Sequence, residues 1–161
     1  MNKYLFLDLD ETLIHSMNIR GDVNWAWINA QPFENIVLVT AEGNKYVAFL
    51  RPGVLEFLDW CRSEYGAGNI RILTTATFEY AKMVSDGLEL GFNRYQIIDR
   101  VPIYQRDETF NEDGRCVLVD NMTYEEHAYG RRCKVKYLNG IPKSQYIQIL
   151  DFILVDDPEN Y

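Results

Sequence analysis

Apolar positions along the chain fall into two patterns. Short unbroken runs, YLFL at 4–7, NIRILTT at 69–75 and RCVLVDN at 115–121, predict strands buried on both faces, as in the centre of a parallel sheet. RYQIID at 94–99 and CKVKYL at 133–138 add two shorter strands. IVLVT and KYVAFL, separated by a turn within AEGN, predict a hairpin over 36–50. Apolar residues at helical spacing mark a helix in PGVLEFLDWCRSEYG, opened by Pro52 and ended by Gly66. A second runs through ATFEYAKMVSDGLELG, with Thr77 as N-cap and Glu79 and Glu89 exposed. A third closes the chain in PKSQYIQILDFILVD. Residues 18–35, with Trp25, Trp27 and Phe33, follow neither period.

Strands alternating with helices imply parallel pairing through right-handed crossovers. The expected fold is α/β, a doubly wound, Rossmann-like parallel sheet in one domain over 1–161. In such sheets ligands bind beyond the carboxyl ends of the strands. Asp8, Asp10 and Asp120 fall at those ends, and Thr74 and Thr75 at a third. Carboxylates gathered at one mouth repel unless a cation holds them. Oxygen-only ligands suit Mg²⁺, which takes one or two carboxylates together with phosphate and water. One carboxylate can then attack phosphorus. A second can protonate the leaving oxygen and later activate water.

Composition narrows the partners. The formal net charge of −8 disfavours a nucleic-acid binder that neutralises phosphates with a basic face. No apolar stretch approaches the ~18 residues of a membrane span, and the start, MNKYLFLDLDE, does not read as a signal peptide. The expected location is cytoplasmic. Three widely spaced cysteines and two histidines show neither disulfide nor zinc spacing, so buried reduced thiols are expected. Oligomeric state is not legible.

DLDETLIHS at 8–16 resembles motif I, DxDxT, of the haloacid dehalogenase superfamily. FLRPGVLEFL, ILTTAT and VLVDN follow in the family's order. Within the superfamily the likeness is to the small phosphatases acting on the C-terminal domain of RNA polymerase II, the NLI-interacting-factor-like phosphatases. The resemblance implies Asp8 as nucleophile and Mg²⁺ ligand, and Asp10 as general acid/base with its carbonyl on the metal. It implies Thr12 as a brace for the loop and Thr75, or Thr74 in a shifted alignment, as the hydroxyl holding the phosphoryl group. Asp120 and Asn121 would complete the metal shell. The family's motif III cation has no lysine to match it between Lys82 and Asp120. YQRDETF points to Arg106, with Arg100 the competitor. Arg51 would pin the following helix or face the phosphate, and His15 would pack near the loop. A small β insert over about 18–49 and the absence of a large cap are also expected.

The resulting expectation is a Mg²⁺-dependent phosphomonoester hydrolase acting through an aspartyl phosphate, with a phosphorylated protein as substrate. A nucleotide or nucleic-acid-end phosphatase is the alternative, its aromatic insert stacking a base. A non-catalytic phosphate-binding module is the third reading.

Overall fold

The computed structural model describes residues 4–100, apart from 11, 32 and 34, and the strand segments 116–119 and 136–137. YLFL forms strand β1 (Tyr4–Leu7). Its Leu5, Phe6 and Leu7 are all buried, as an interior parallel strand requires. The later parallel strands are β5 (Ile70–Leu73), β6 (Ile97–Ile98), β7 (Cys116–Val119) and β8 (Lys136–Tyr137). They join β1 in one sheet of order β6-β5-β1-β7-β8. Every pairing in it is parallel, with Leu7 opposite both Ile72 and Val119. Strand order reverses at β1, and sheets of this kind take their ligands beyond the carboxyl ends of the strands at such a point. The architecture is the α/β one, built on a parallel sheet, expected from the sequence.

A second, antiparallel sheet lies between β1 and the first long helix in sequence. It comprises β2 (Ile14–Ile19), β3 (Ile36–Ala41) and β4 (Asn44–Leu50), with β4 in the middle. The hairpin turn is Glu42-Gly43, both with positive φ (54° and 77°). That is the two-residue geometry whose twist matches the flanking strands. Between β2 and β3 sits α1 (Trp25–Asn29), a five-residue helix whose N-cap Asn24 accepts from the Trp27 amide at 3.0 Å.

Strand β4 feeds two cores. Ala48 and Leu50 point into the main core with Leu5, Leu7, Val39 and Leu58. Val47 and Phe49 point the other way, into a smaller cluster with Ile19, Ile28 and Phe33. This alternation is the two-residue period of a strand buried on both faces.

Helix α2 (Val54–Tyr65) packs on β1 and β5, and α3 (Phe78–Gly87) on β3 and β6. Pro52 does not open α2. The first helical residue is Val54, after Gly53 at φ 84°, a left-handed conformation that suits glycine. Gly66 ends the helix, its amide donating to the Arg62 carbonyl at 3.0 Å. Thr77 caps α3 as expected, accepting from the Tyr80 amide at 3.3 Å. Gly87 is required by proximity, because a methyl there would overlap the Val37 side chain on β3. RYQIID yields only the two-residue β6. Arg94–Gln96 turns instead into a 3-10 segment held by a capping box on Asn93. The expected closing helix lies outside the described residues.

Candidate active site

Asp8 is the first residue after β1, at the reversal point of the sheet. The chain turns at once: the Leu9 carbonyl accepts from the amides of Thr12, Leu13 and Ile14 at 3.0–3.3 Å. This turn brings Thr12 back onto Asp8, and its hydroxyl donates to Asp8 Oδ2 at 3.0 Å. Both residues are buried, Asp8 at 8% exposure and Thr12 at 3%. A carboxylate taken this far from water is costly unless hydrogen-bonded or beside positive charge.

Asp10 lies on the other side of the turn and is partly exposed. Its Oδ1 accepts from the Tyr80 hydroxyl at 2.7 Å and from the Ser16 hydroxyl at 3.2 Å. The two hydroxyl oxygens are themselves 2.7 Å apart. Ser16 reaches Asp10 from β2, where it pairs with Ala48 on the face that meets the main core. Tyr80 comes from the first turn of α3, and its ring meets Tyr46 edge-on at 5.1 Å. Burial, and then the charge of Asp10, push the Tyr80 phenol well above its ordinary range, so it stays protonated and can donate.

Thr74 takes the place after β5 that Asp8 takes after β1 on the adjacent strand. It is buried, and its hydroxyl accepts from the Ala76 amide at 3.1 Å. Thr75, next in the chain, is exposed. It shares a cleft of about 260 Å³ with Asp10, Ser16, Ala41, Glu42, Tyr46, Ala76, Thr77 and Tyr80. One wall of this cleft is thus the antiparallel sheet and the other is the loop into α3. A larger cavity of about 380 Å³ at the start of α2, lined by Phe33, Asn35, Arg51 and Glu56 among others, includes neither Asp8 nor Asp10.

Of the other expected residues, Arg100 is held near the site by its backbone, its amide donating to the Ala76 carbonyl at 2.8 Å. Its side chain is 72% exposed and pairs with Asp99 at 3.1 Å. Arg51 is buried at 1% exposure, and its amide donates to the Leu13 carbonyl at 3.0 Å, tying α2 to the turn after β1. His15 stacks on Phe49 at 6.5 Å, on the face of β2 opposite Ser16. Trp27 and Phe33 also pack around Phe49 in the smaller cluster, away from the cleft. Arg106, Asp120 and Asn121 lie outside the described residues. Sequence reasoning missed Ser16 and Tyr80 as site residues. Ser16 was legible as part of DLDETLIHS, but Tyr80 stands 70 positions from Asp10, and no local signal joins them.

Among the described residues no group of three or more His, Cys, Asp or Glu side chains is arranged to hold a metal. No helix among them is long and apolar enough to cross a membrane. Cys61, in the main core, is a free thiol pushed up to about 12 by burial, which keeps it unreactive.

No curated protein sequence matches the chain. Two structures of Fcp1 are among the solved structures that share its fold. One is the fission yeast RNA polymerase II CTD phosphatase Fcp1, an arginine-to-alanine variant bound to beryllium fluoride (TM-score 0.56, 17% identity). The other is Fcp1 described as an essential RNA polymerase II CTD phosphatase (TM-score 0.57, 18% identity). Each match covers 84% of this chain but only 41% of the Fcp1 chain. The model of the NLI interacting factor-like phosphatases matches residues 3–159. Nearly the whole chain is thereby accounted for, and the protein belongs to the NLI interacting factor-like phosphatase family.

Proposed function

We propose that the chain hydrolyses phosphomonoesters with Mg²⁺ through an aspartyl phosphate on Asp8, and that its substrates are phosphoserine or phosphothreonine residues of a protein. The observation that carries this is the position of Asp8, a buried carboxylate at the reversal point of a parallel sheet, braced by Thr12 and followed two residues later by Asp10 in an open cleft.

The donor set fits Mg²⁺. The Asp8 carboxylate and the Asp10 carbonyl offer only hard oxygens, with Asp120 and Asn121 expected to add more. The described nitrogen and sulfur ligands are turned elsewhere, His15 onto Phe49 and Cys61 into the core. When bound, the ion neutralises phosphate charge and lowers the barrier to attack by an anion. In the first half-reaction the Asp8 carboxylate forms a bond to phosphorus. The ester P–O bond breaks, and the departing oxygen takes the proton from Asp10. In the second half, water attacks phosphorus and gives a proton to Asp10. The Asp8–phosphorus bond breaks, releasing inorganic phosphate and restoring the carboxylate.

A hydroxyl at the end of β5 would hold the transferring group. Thr75 is exposed and lines the cleft with Asp10, while Thr74 is the first residue after its strand, as Asp8 is after β1, and keeps a hydroxyl hydrogen able to donate. If the first residue after β5 holds the group, Thr74→Val raises KM by about tenfold or more, and Thr75→Val less. Equal effects, or a larger one at Thr75, would reverse the assignment. Arg106 or Arg100 would supply the motif III cation, a bidentate phosphate partner that stays charged.

The protein-substrate reading rests on the open cleft beside Asp10, and the solved Fcp1 neighbours bear the name of phosphatases for such a substrate. Trp27 and Phe33 are committed to the cluster around Phe49, which leaves Trp25, exposed on α1, as the insert aromatic free to stack a base. The test is hydrolysis of an aryl phosphate and of phosphoserine peptides by wild type and Asp8→Asn, with Mg²⁺ and with EDTA. Turnover by wild type with Mg²⁺ alone is the expected result. Turnover that survives EDTA or Asp8→Asn would overturn the mechanism, and hydrolysis of nucleotides in preference to phosphopeptides would overturn the substrate class.

A further inference from the structure

We propose that Tyr80 and Ser16 are positioning residues for Asp10, holding its carboxyl in the orientation from which it exchanges the proton with the leaving oxygen. The inference deepens the reading of Asp10 as the acid/base and rests on it.

An aspartate on a turn has two side-chain torsions and, in water, no preferred direction. Here Asp10 Oδ1 accepts from two hydroxyls at 2.7 and 3.2 Å. The two donors come from different parts of the molecule, Tyr80 from α3 of the parallel-sheet core and Ser16 from β2 of the antiparallel insert. Both are themselves fixed. The Tyr80 backbone is tied to the Thr77 cap, and its ring is 6% exposed against Tyr46. Ser16 is held on β2 in register with Ala48 of β4, the central strand of the three-stranded sheet. The phenol has one hydrogen, and the carboxylate is the stronger acceptor. Tyr80 therefore donates to Asp10, and the Ser16 hydroxyl completes the triangle by donating to Asp10 or to the phenolic oxygen. A buried phenol needs a partner, and this one has found the acid/base carboxyl rather than a nearby backbone carbonyl. All three side chains line the same cleft, so the triangle faces the space a leaving group would occupy. The insert sheet thus takes part in the chemistry as well as shaping the cleft.

Loss of proton donation hurts poor leaving groups more than good ones, and this separates positioning from a structural role. Tyr80→Phe keeps the ring and removes the hydroxyl. With Mg²⁺ present, its kcat/KM is expected to fall by about thirtyfold on phenyl phosphate and by about threefold on p-nitrophenyl phosphate, with the loss mainly in kcat. Ser16→Ala should show the same bias with a smaller loss, and Ser16→Thr should restore activity. In an Asp10→Asn background Tyr80→Phe should cost nothing further, since the group it positions no longer carries a proton. Thermal unfolding of each variant checks that the fold survives. An equal loss on both substrates, or a loss that adds to that of Asp10→Asn, overturns the inference while leaving the Asp8 chemistry standing. If Asp10→Asn itself shows no leaving-group bias, the acid/base reading of Asp10 falls, and the inference falls with it.

Discussion

The two sheets of this protein solve different problems. The parallel sheet has short strands, and β1 in its middle is buried on both faces and is followed at once by Asp8. The antiparallel sheet has longer strands with mixed burial, and it covers the main core with one face while making a second cluster with the other. The first places chemistry: strand ends fix Asp8 and Thr74 on neighbouring strands. The second supplies surroundings: Ser16 and Tyr46 from its core-facing side form a wall of the cleft. The difference teaches that nucleophile and environment arise from separate structural units that meet at Asp10. Strand β4, whose alternate residues serve both clusters, is common to the two units.

Phe49 tests that joining. It is fully buried and touches His15, Trp27 and Phe33. Phe49→Ala should lower the unfolding free energy by about 3–5 kcal/mol. If β4 couples the clusters, amides of β1 and β5 will lose hydrogen-exchange protection along with those of β2 and β3. Loss confined to the insert would show that the two sheets unfold independently.

Gly87 probes the contact between α3 and the insert, where no room remains for a methyl beside Val37. Gly87→Ala is expected to cost about 1–3 kcal/mol by overpacking, despite the better helix propensity of alanine. A stabilised variant in chemical denaturation would mean that this face is looser than its geometry.

The smallest effect is alkaline. Cys61 in the main core is raised from 9.0 to about 12, chiefly by burial, and Tyr80 at the junction is raised from 10.0 by burial and then by Asp10. Both groups stay protonated in the folded chain while the unfolded chain releases its protons. Stability is therefore complete below pH 9 and is lost as pH rises through the window toward 12. The Cys61 share is about 1 kcal/mol between pH 9 and 10. Cys61→Ala should flatten the early part of this decline and Tyr80→Phe the later part, both read from urea midpoints against pH. An unchanged decline in Cys61→Ala would place the titrating groups elsewhere.

The parallel framework was legible because its strands are uninterrupted apolar runs, and because acids and hydroxyls at their ends stand out against them. The helices α2 and α3 announced themselves by period and by Thr77 and Gly66. Strand β2 did not. IHSMNI mixes polar and apolar residues because its two faces meet different surroundings, and its start is hidden within the motif string at Ile14. Five residues are too few for α1 to show a helical period. Pro52 misled because the left-handed Gly53 stands between it and the first helical turn. The triangle on Asp10 could not be read at all, for it depends on the register of β2 with β4 and on the docking of α3, neither of which a local pattern records.

The most direct test of the account is to trap the phosphoenzyme. Wild type mixed with a phosphoester and Mg²⁺, quenched in acid and digested, should carry a hydroxylamine-sensitive phosphoryl group on the peptide containing Asp8, and Asp8→Asn should carry none. A phosphoryl group on another residue, or full turnover by Asp8→Asn, would contradict the claim that the end of β1 is where the chemistry begins.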